Sequence, residues 1–152
     1  MPLNFRGKTN HTAGIAVDEW FTAGEDLSSA QYYFVMPGSI LNEVKLCTCV
    51  SIPAPLGVLQ NAPTTGQAAR VRIYGRTTIA GSPNVSGCNL VYGRWITSGC
   101  LGAAATPAAG TCPVFGRWLS ATVTNGNTTA CGEAFVNCFA PGACAAGLGS
   151  YT

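Results

Sequence analysis

Residues 56–80 read LGVLQNAPTTGQAARVRIYGRTTIA, and this stretch decides the fold. It opens with a short apolar strand over 56–59, and the next eight residues supply the Asn, Pro, Thr and Gly that favour turns. Apolar and polar side chains then alternate, which is typical of a strand with one buried face. One face carries Val71, Ile73, Thr77 and Ile79, and the other carries Arg70, Arg72, Tyr74 and Arg76. We therefore predict a central strand with three arginines on its polar face.

The rest of the chain repeats short β-rich runs separated by Gly, Pro and Asn. Turn residues between aromatic and β-branched runs favour strands, and no segment shows the periodicity of a three-turn helix. Asn125-Gly126-Asn127 is typical of a tight hairpin turn. The fold class is therefore all-β, a small β-barrel or β-sandwich with extended N- and C-terminal arms. Beyond the central stretch, strands are predicted over 14–17, 31–36, 39–52, 89–97, 113–123 and 130–139.

The predicted organisation is one β domain over 13–139 between two arms. Residues 1–12 lack apolar periodicity and are interrupted by Pro and Gly, so they are predicted to be an extended N-terminal arm. Residues 140–152 form a Gly/Ala-rich C-terminal tail. Within the domain, 81–112 is a loop-rich, neutral insertion.

An aromatic-Gly-Arg pattern occurs three times, beginning at Tyr74, Tyr92 and Phe115. Glycine within a strand marks a bulge, a bend or a close backbone approach. We interpret the repeat as a structural bulge that places arginines at related positions of a curved sheet, and coincidence in a Gly-rich protein is the alternative.

The charge content is low. Charged residues make up 9% of the 152 residues, against roughly 25% in ordinary soluble domains. After Arg76 the only charged residues in the sequence are Arg94, Arg117 and Glu133. Such a surface suits a protein covered by neighbours in an assembly, or a secreted protein solvated by Thr, Ser and Asn.

The same composition argues against several partners. A net charge of +2 is too small for a nucleic-acid-binding field. No run of 18 apolar residues is present, so no transmembrane helix is predicted and no membrane partner is expected. The first ten residues lack the apolar core of a signal peptide.

Eight cysteines suggest disulfides. Zinc is the alternative, but the spacing after Cys47-x-Cys49 lacks the paired CxxC knuckles of structural zinc sites. Local pairs such as Cys88 with Cys100 and Cys131 with Cys138 are the simplest hypotheses. We expect no metal and no cofactor. The disulfide candidates are Cys47, Cys49, Cys88, Cys100, Cys112, Cys131, Cys138 and Cys144.

Catalytic groups are scarce, and we expect no enzyme activity. His11 is the one histidine and lies in the predicted arm, a poor place for a catalytic base. The acidic pairs 18/19 and 25/26 are adjacent in sequence, so on a strand each pair points to opposite faces. That differs from the facing carboxylates of glycoside hydrolysis.

Part of the central stretch, Gly57-Val58-Leu59-Gln60-Asn61-Ala62-Pro63 followed by Val71-Arg72-Ile73-Tyr74-Gly75, resembles the capsid cement or head decoration proteins of tailed bacteriophages. Those proteins carry a similar "G-V-x-Q-N-A-P" strand end, a turn with Gly, and "V-R-V-x-G". Phe115-Gly116-Arg117-Trp118-Leu119 with Glu133-Ala134-Phe135-Val136 is similar to their closing "G-R-A-L" hairpin. The eight cysteines and the 81–112 insertion depart from the family's pattern.

The resemblance implies a structural virion protein without catalytic residues. Such proteins bind the outer surface of the capsid, often as trimers around three-fold positions, and hold neighbouring major capsid protein subunits together. The expected location is the outer capsid surface, after assembly in the host cytoplasm. The expected contacts with capsid or neighbouring subunits are Phe5, Arg6, Arg70, Arg72, Arg76, Trp95 and Trp118.

Two alternatives remain open from the residues alone. A secreted carbohydrate-binding or adhesive β-module would use Trp20, Trp95 and Trp118 as a stacking platform, although strand-borne tryptophans are more often core or interface residues. A hydrolase would need His11 or a carboxylate pair brought together by folding.

Overall fold

Short β-rich runs fold as strands, as the sequence predicts. The structure is a computed structural model, and it describes residues 15–48, 55–81, 90, 92–93, 95–98, 102–105, 114–121 and 130–139. Within those residues there is no α-helix. The strands are β1 (Val17–Ala23), β2 (Phe34–Pro37), β3 (Glu43–Leu46), β4 (Gly57–Leu59), β5 (Ala68–Gly81), β6 (Trp95–Ser98), β7 (Ala104–Ala105), β8 (Gly116–Trp118) and β9 (Ala130–Asn137).

The first five strands close into a barrel. Its hydrogen-bonded order is β1-β3-β2-β4-β5, and β5 pairs again with β1. Closure leaves no unpaired edge in this barrel, so every strand can bury one face inside. The interior is filled by Ala23, Leu27, Ala30, Val35, Val44, Leu59, Ala69 and Val71.

The later strands form a second ring of pairings that shares β5. Its order is β5-β7-β6-β8-β9, and β9 returns to β5 along the residue pairs from Tyr74↔Asn137 to Gly81↔Ala130. The pairing of β5 with β7 is one residue pair, Gly81↔Ala104. The core of this ring also includes residues from the outer side of the barrel, so the two units pack as one body. Its members are Phe34, Cys47, Val58, Ile79, Leu90, Ile96, Ala104, Phe115, Trp118, Ala134 and Val136.

β5 passes from the barrel core to the second core without changing its buried face. Val71 packs inside the barrel and Ile79 packs in the second core, although both occupy odd positions of the same strand. Between them the register with β1 skips Ile73, which is a bulge, and Gly75 follows with a φ of 114°. A bulge increases local twist and glycine tolerates this backbone conformation, so the strand can turn from one core towards the other.

The all-β prediction is confirmed, and the differences lie at particular elements. β1 occupies 17–23, whereas the predicted strand covered 14–17, because an alternation that includes Asp18, Glu19 and Trp20 is not recognisable as a half-buried strand. Within the strand predicted over 39–52, residues 39–42 form a turn and β3 occupies 43–46, while 49–52 lie outside the described residues. β7 lies within a segment predicted to be loop. The two predicted arms, over 1–12 and 140–152, and the hairpin turn at 125–127 lie outside the described residues.

The three aromatic-Gly-Arg repeats have different structures. Gly75 is next to the bulge in β5, as predicted. Gly93 lies in a turn and not in a strand, with a φ of 78°. Gly116 lies in β8, where a Cβ atom would clash with the backbone carbonyl of Phe135. The repeat therefore marks three different uses of glycine.

Gly75 is the position where we expect the fold to be most sensitive to a single methyl group. Its Cβ would lie 2.8 Å from the carbonyl oxygen of Ile15 and 2.9 Å from Cα of Ala16, and its φ disfavours L side chains. Gly75→Ala should lower the free energy of unfolding by about 3 kcal/mol, measured by urea denaturation.

Gly93→Ala is the matched control, because Gly93 also has a positive φ but has no atom within 4 Å of a built Cβ. It should cost about 1 kcal/mol, the backbone strain alone. Equal losses for the two variants would contradict the close approach at Gly75.

Candidate functional site

The outer face of β5 brings the three predicted arginines into one row. Antiparallel pairing sets Arg72 opposite Asp18 and Arg70 opposite Trp20. Both arginines reach the same carboxylate: Arg72 Nε donates to Asp18 Oδ1 at 2.7 Å, and Arg70 Nε donates to Oδ2 at 2.7 Å. Arg72 is the more buried, with 11% of its side chain exposed against 45% for Arg70.

The fixed geometry of Asp18 affects its ionisation. Hydrogen bonding from Arg72, and then from Arg70, holds the pKa of the Asp18 carboxyl below its usual 3.8, although partial burial opposes this. Arg72 Nη1 also donates to the backbone carbonyl of Arg76 at 2.8 Å. The Asp18–Arg72 contact uses two nitrogens of the guanidinium, a geometry that favours a fixed orientation.

Arg76 has a separate partner on the neighbouring strand. Its Nε donates to Glu133 Oε2 at 3.0 Å, and its Nη2 contacts the same oxygen. Arg76 and Glu133 are diagonal neighbours between β5 and β9, since Arg76 pairs with Phe135 and Thr78 pairs with Glu133. Both side chains are more than one-third exposed, so this pair contributes little to stability.

The predicted arginine face therefore exists, but it is not a free basic patch. Three arginines share two carboxylates, those of Asp18 and Glu133, which leaves one unit of positive charge. Whether any of the three contacts a capsid stays a prediction. Arg70 is the most exposed of them.

The structure contradicts the predicted interface role of Trp118. Its side chain is 0% exposed, in the core of the second ring, and its indole nitrogen donates to the carbonyl of Ala121 at 3.0 Å. Gly132 lies so close to the indole of Trp118 that a Cβ atom at this position would clash with it. Trp118 is a packing residue, and as folded it offers no surface to another chain.

The other predicted contact residues are not placed by the structure. Trp95 begins β6, but the position of its side chain is outside the described part of the chain. Phe5 and Arg6 lie outside the described residues altogether. Their roles remain predictions.

The cysteines within the described residues are all free. They are Cys47, Cys131 and Cys138, and the predicted pairing of Cys131 with Cys138 is wrong. Cys131 lies at the start of β9 and Cys138 directly follows its last residue, so the two are separated by about 20 Å of extended chain, far beyond the reach of a disulfide. The other candidates, among them Cys88 with Cys100, lie outside the described residues: Cys49, Cys88, Cys100, Cys112 and Cys144.

Cys138 and Cys47 meet in the core of the second ring. Burial, and to a smaller extent the neighbouring Cys47, raise the pKa of the Cys138 thiol to about 12. Burial also raises the pKa of Cys47. Both thiols therefore stay protonated at neutral pH and behave as small core residues.

The described residues form neither a metal site nor a membrane-spanning helix. Among the described residues, no group of three His, Cys, Asp or Glu side chains could hold a metal ion. Within the same residues no helix is long and apolar enough to cross a membrane. His11 lies outside them.

Several exposed apolar side chains were missed by the sequence patterns. Ile40 and Leu41 lie in the turn between β2 and β3, within a segment that was predicted to be strand. The sequence signal for this turn is Pro37-Gly38-Ser39 before them and Asn42 after them. The exposed large apolar residues of the described chain are Ile15, Trp20, Ile40, Leu41, Tyr92 and Phe139.

Comparison with known proteins gives a structural likeness only. No protein-family model matches the sequence, and no curated protein matches it. A solved structure with a similar fold is the head fiber gp8.5 N base of bacteriophage phi29. The two align with a TM-score of 0.51 and 18% sequence identity, over 81% of this chain and 95% of that chain. At 18% identity, this likeness shows that the two chains share a fold and nothing further.

Removal of the Asp18 carboxylate should destabilise the protein in a pH-dependent way. Asp18→Asn should lower the free energy of unfolding at pH 7 by about 2 kcal/mol, since hydrogen bonds to a charged group contribute about 1.5–3 kcal/mol. Because the pKa of Asp18 is lowered in the folded state, its contribution is complete above the unfolded pKa and is lost as the pH falls through the folded pKa. Urea unfolding should show the largest difference near pH 7 and a shrinking one towards pH 2.

Glu19→Gln is the control for this prediction, because Glu19 is the next residue of β1 and is exposed. It removes the same charge, which has no ion pair among the described residues, and should change stability by less than about 0.5 kcal/mol. A similar effect from the two variants would mean that the ion pairs with Arg70 and Arg72 contribute nothing specific.

The free thiols should differ in reactivity. Cys131 is exposed, whereas Cys138 is partly buried with a raised pKa, so iodoacetamide at pH 8 should label Cys138 at least about a hundredfold more slowly in the native protein. Peptide mapping by mass spectrometry measures both rates. Both cysteines should label fully in urea without a reductant, and protection of either one there would show that it is in a disulfide.

Proposed function

We propose that this protein is a structural component of a tailed-phage virion that binds the outer surface of the head and cements neighbouring major capsid protein subunits. The observation that carries the proposal is the fold, which is similar to that of the N base of a phage head fiber over most of both chains.

The sequence adds independent support from the same region of the fold. The motif that resembles phage cement proteins spans β4, the turn after it and the first half of β5, which are the segments that close the barrel. The similar closing hairpin maps onto β8 and β9 of the second ring. Both resemblances therefore fall on strands that define the architecture.

The charge distribution also favours a covered protein. Beyond Arg76, the second half of the chain carries three charged residues. A surface with so little charge is poorly suited to remain bare in solution, and it loses little by desolvation when a neighbouring subunit covers it.

The closed sheet limits how such a protein could attach. Each of the described strands has hydrogen-bonded neighbours on both sides, so these strands offer no long free edge for the addition of a strand from a partner. Attachment would use side chains and turns on a rigid body. Cementing in this form is mechanical: one rigid body buries area on two neighbours and adds to the free energy needed to separate them.

The proposed partner is the major capsid protein, and the proposed assembly is a homotrimer at three-fold positions of the shell. The proposed location is the outer virion surface, reached after assembly in the host cytoplasm. Arg70 is the described member of the predicted contact set with the most exposed side chain.

Binding to empty shells tests the proposal directly. Purified protein is mixed with capsids that lack it and sedimented, and we expect it to pellet with the shells at saturable stoichiometry. Light scattering of the free protein gives its oligomeric state. Absence from the pellet across a range of salt concentrations would overturn the proposed attachment.

A second measurement separates cementing from attachment alone. Shells with bound protein should lose their integrity at a higher temperature than bare shells, because ligand binding to the intact state stabilises it. If the protein pellets with shells but leaves that temperature unchanged, it is an attached virion protein without a cementing role.

A further inference from the structure

The barrel carries exposed apolar side chains on β1 and on the adjacent β2–β3 turn. Trp20 on β1 is 64% exposed, and Ile40 and Leu41 in the β2–β3 turn are 71% and 88% exposed. We call these three residues the Trp20 patch. Single exposed apolar residues are ordinary, but a cluster that includes a tryptophan is typical of an interaction site.

Backbone pairing brings the members of the Trp20 patch together. Phe21 and Ala23 of β1 pack towards the barrel interior, so Trp20 and Thr22 point outward. Thr22 is paired with Glu43 in the parallel ladder, and its amide donates to the carbonyl of Asn42 at 2.8 Å. Since the two strands run in the same direction, the residues before Glu43 lie alongside the residues before Thr22. The turn is therefore placed beside Trp20.

The turn that presents Ile40 and Leu41 is held in one conformation. The Glu43 carboxylate accepts a hydrogen bond from the Ser39 amide at 2.9 Å, and the Gly38 amide donates to the Glu43 carbonyl at 2.7 Å. Lys45 Nζ donates to Ser39 Oγ at 2.9 Å. A partner that binds here does not have to order this turn, which lowers the entropic cost of association.

The rim of the Trp20 patch is positively charged. Arg70 lies directly opposite Trp20 on β5, and together with Arg72 it shares the single carboxylate of Asp18, which leaves one positive charge. Glu43 and Lys45 occupy the outward positions of β3 beside the patch and carry opposite charges that cancel, and Glu19 belongs to the opposite face of β1.

We propose that the Trp20 patch is the surface through which this protein docks onto the phage shell, and that the shell protein presents an apolar pocket flanked by carboxylates. This inference rests on the proposed function. Tryptophan and arginine are the residue types most enriched among the side chains that dominate binding energy, and here they are cross-strand neighbours. A carboxylate from the partner would complete the charge balance of Arg70 and Arg72.

Other occupants fit the patch less well. A second copy placed on it by a two-fold axis would bring two positive rims together, which is unfavourable. A sugar could stack on Trp20, but its hydroxyls would lose hydrogen bonds against Ile40 and Leu41.

The test compares two matched double variants in the shell-sedimentation assay. Trp20→Ser with Leu41→Ser removes the centre of the patch, and we expect at least a tenfold increase in the dissociation constant. Tyr92→Ser with Phe139→Ser removes exposed aromatic side chains elsewhere and should change the constant by less than about threefold. Arg70→Glu should weaken binding by about tenfold. Thermal unfolding checks that every variant is folded.

Each outcome decides between the two proposals. If the wild-type protein does not bind shells, both the proposed function and the docking site fail. If the wild type and the Trp20/Leu41 variant bind equally, the docking site is wrong and the proposed function stands. If the Trp20/Leu41 variant dissociates a wild-type oligomer in light scattering, the patch is a contact between copies and the docking site is again wrong. Selective loss of shell binding with an unchanged oligomeric state supports it.

Discussion

One constraint organises the molecule: β5 has to serve two closed rings at once. Its first half closes the barrel against β1 and β4, and its second half pairs with β9 for eight consecutive residues. Val71 and Ile79 lie on the same face of β5 but in separate cores, so the strand changes direction between them. The bulge at Ile73 and the positive φ of Gly75 make the change of direction possible, and Ile15 and Ala16 pack tightly against that point. Both cores therefore depend on a single backbone conformation.

The outer face of β5 follows from the same arrangement. A strand buried on one side along 14 residues must place all its even-numbered side chains on the other side, so Arg70, Arg72 and Arg76 are neighbours by geometry. Three cations in a row repel one another, and two carboxylates on flanking strands, those of Asp18 and Glu133, offset that repulsion. The row is thereby converted from a basic patch into a set of cross-strand links with one charge left over, next to Trp20. The contacts of Asp18 fix β1 to β5, whereas β9 is held to β5 mainly by the backbone ladder.

The sequence predicts the parts of this structure that depend on local pattern. Alternation at Val71, Ile73, Thr77 and Ile79 correctly indicates the buried face of β5, and turn residues correctly limit the fold to short strands. Long-range pairing is not visible in such patterns. That Asp18 would pair with both Arg70 and Arg72, more than fifty residues away, depends on barrel closure. Trp118 is a second example. The alternating pattern of β8 does not tell which of its two faces is buried, and pairing with β9 places the face of Trp118 in the core. The exposed turn at Ile40 and Leu41 was predicted as strand because β-branched and apolar residues surround it.

The linkage between the rings also bears on a mechanical role. A load applied at Trp20 enters β5 through the register of β1, where Trp20 is paired with Arg70 and Asp18 with Arg72. It reaches the second ring through the long antiparallel ladder between β5 and β9. A pull along these strands loads the hydrogen bonds of that ladder together and not one after another, so no single bond carries the whole force. The Arg76–Glu133 pair and the edge-to-face contact of Tyr74 with Phe135, at 5.1 Å between ring centroids, cross the same seam. The strand that unites two cores would thus also share force on the barrel with the rest of the protein, as the proposed cementing role requires.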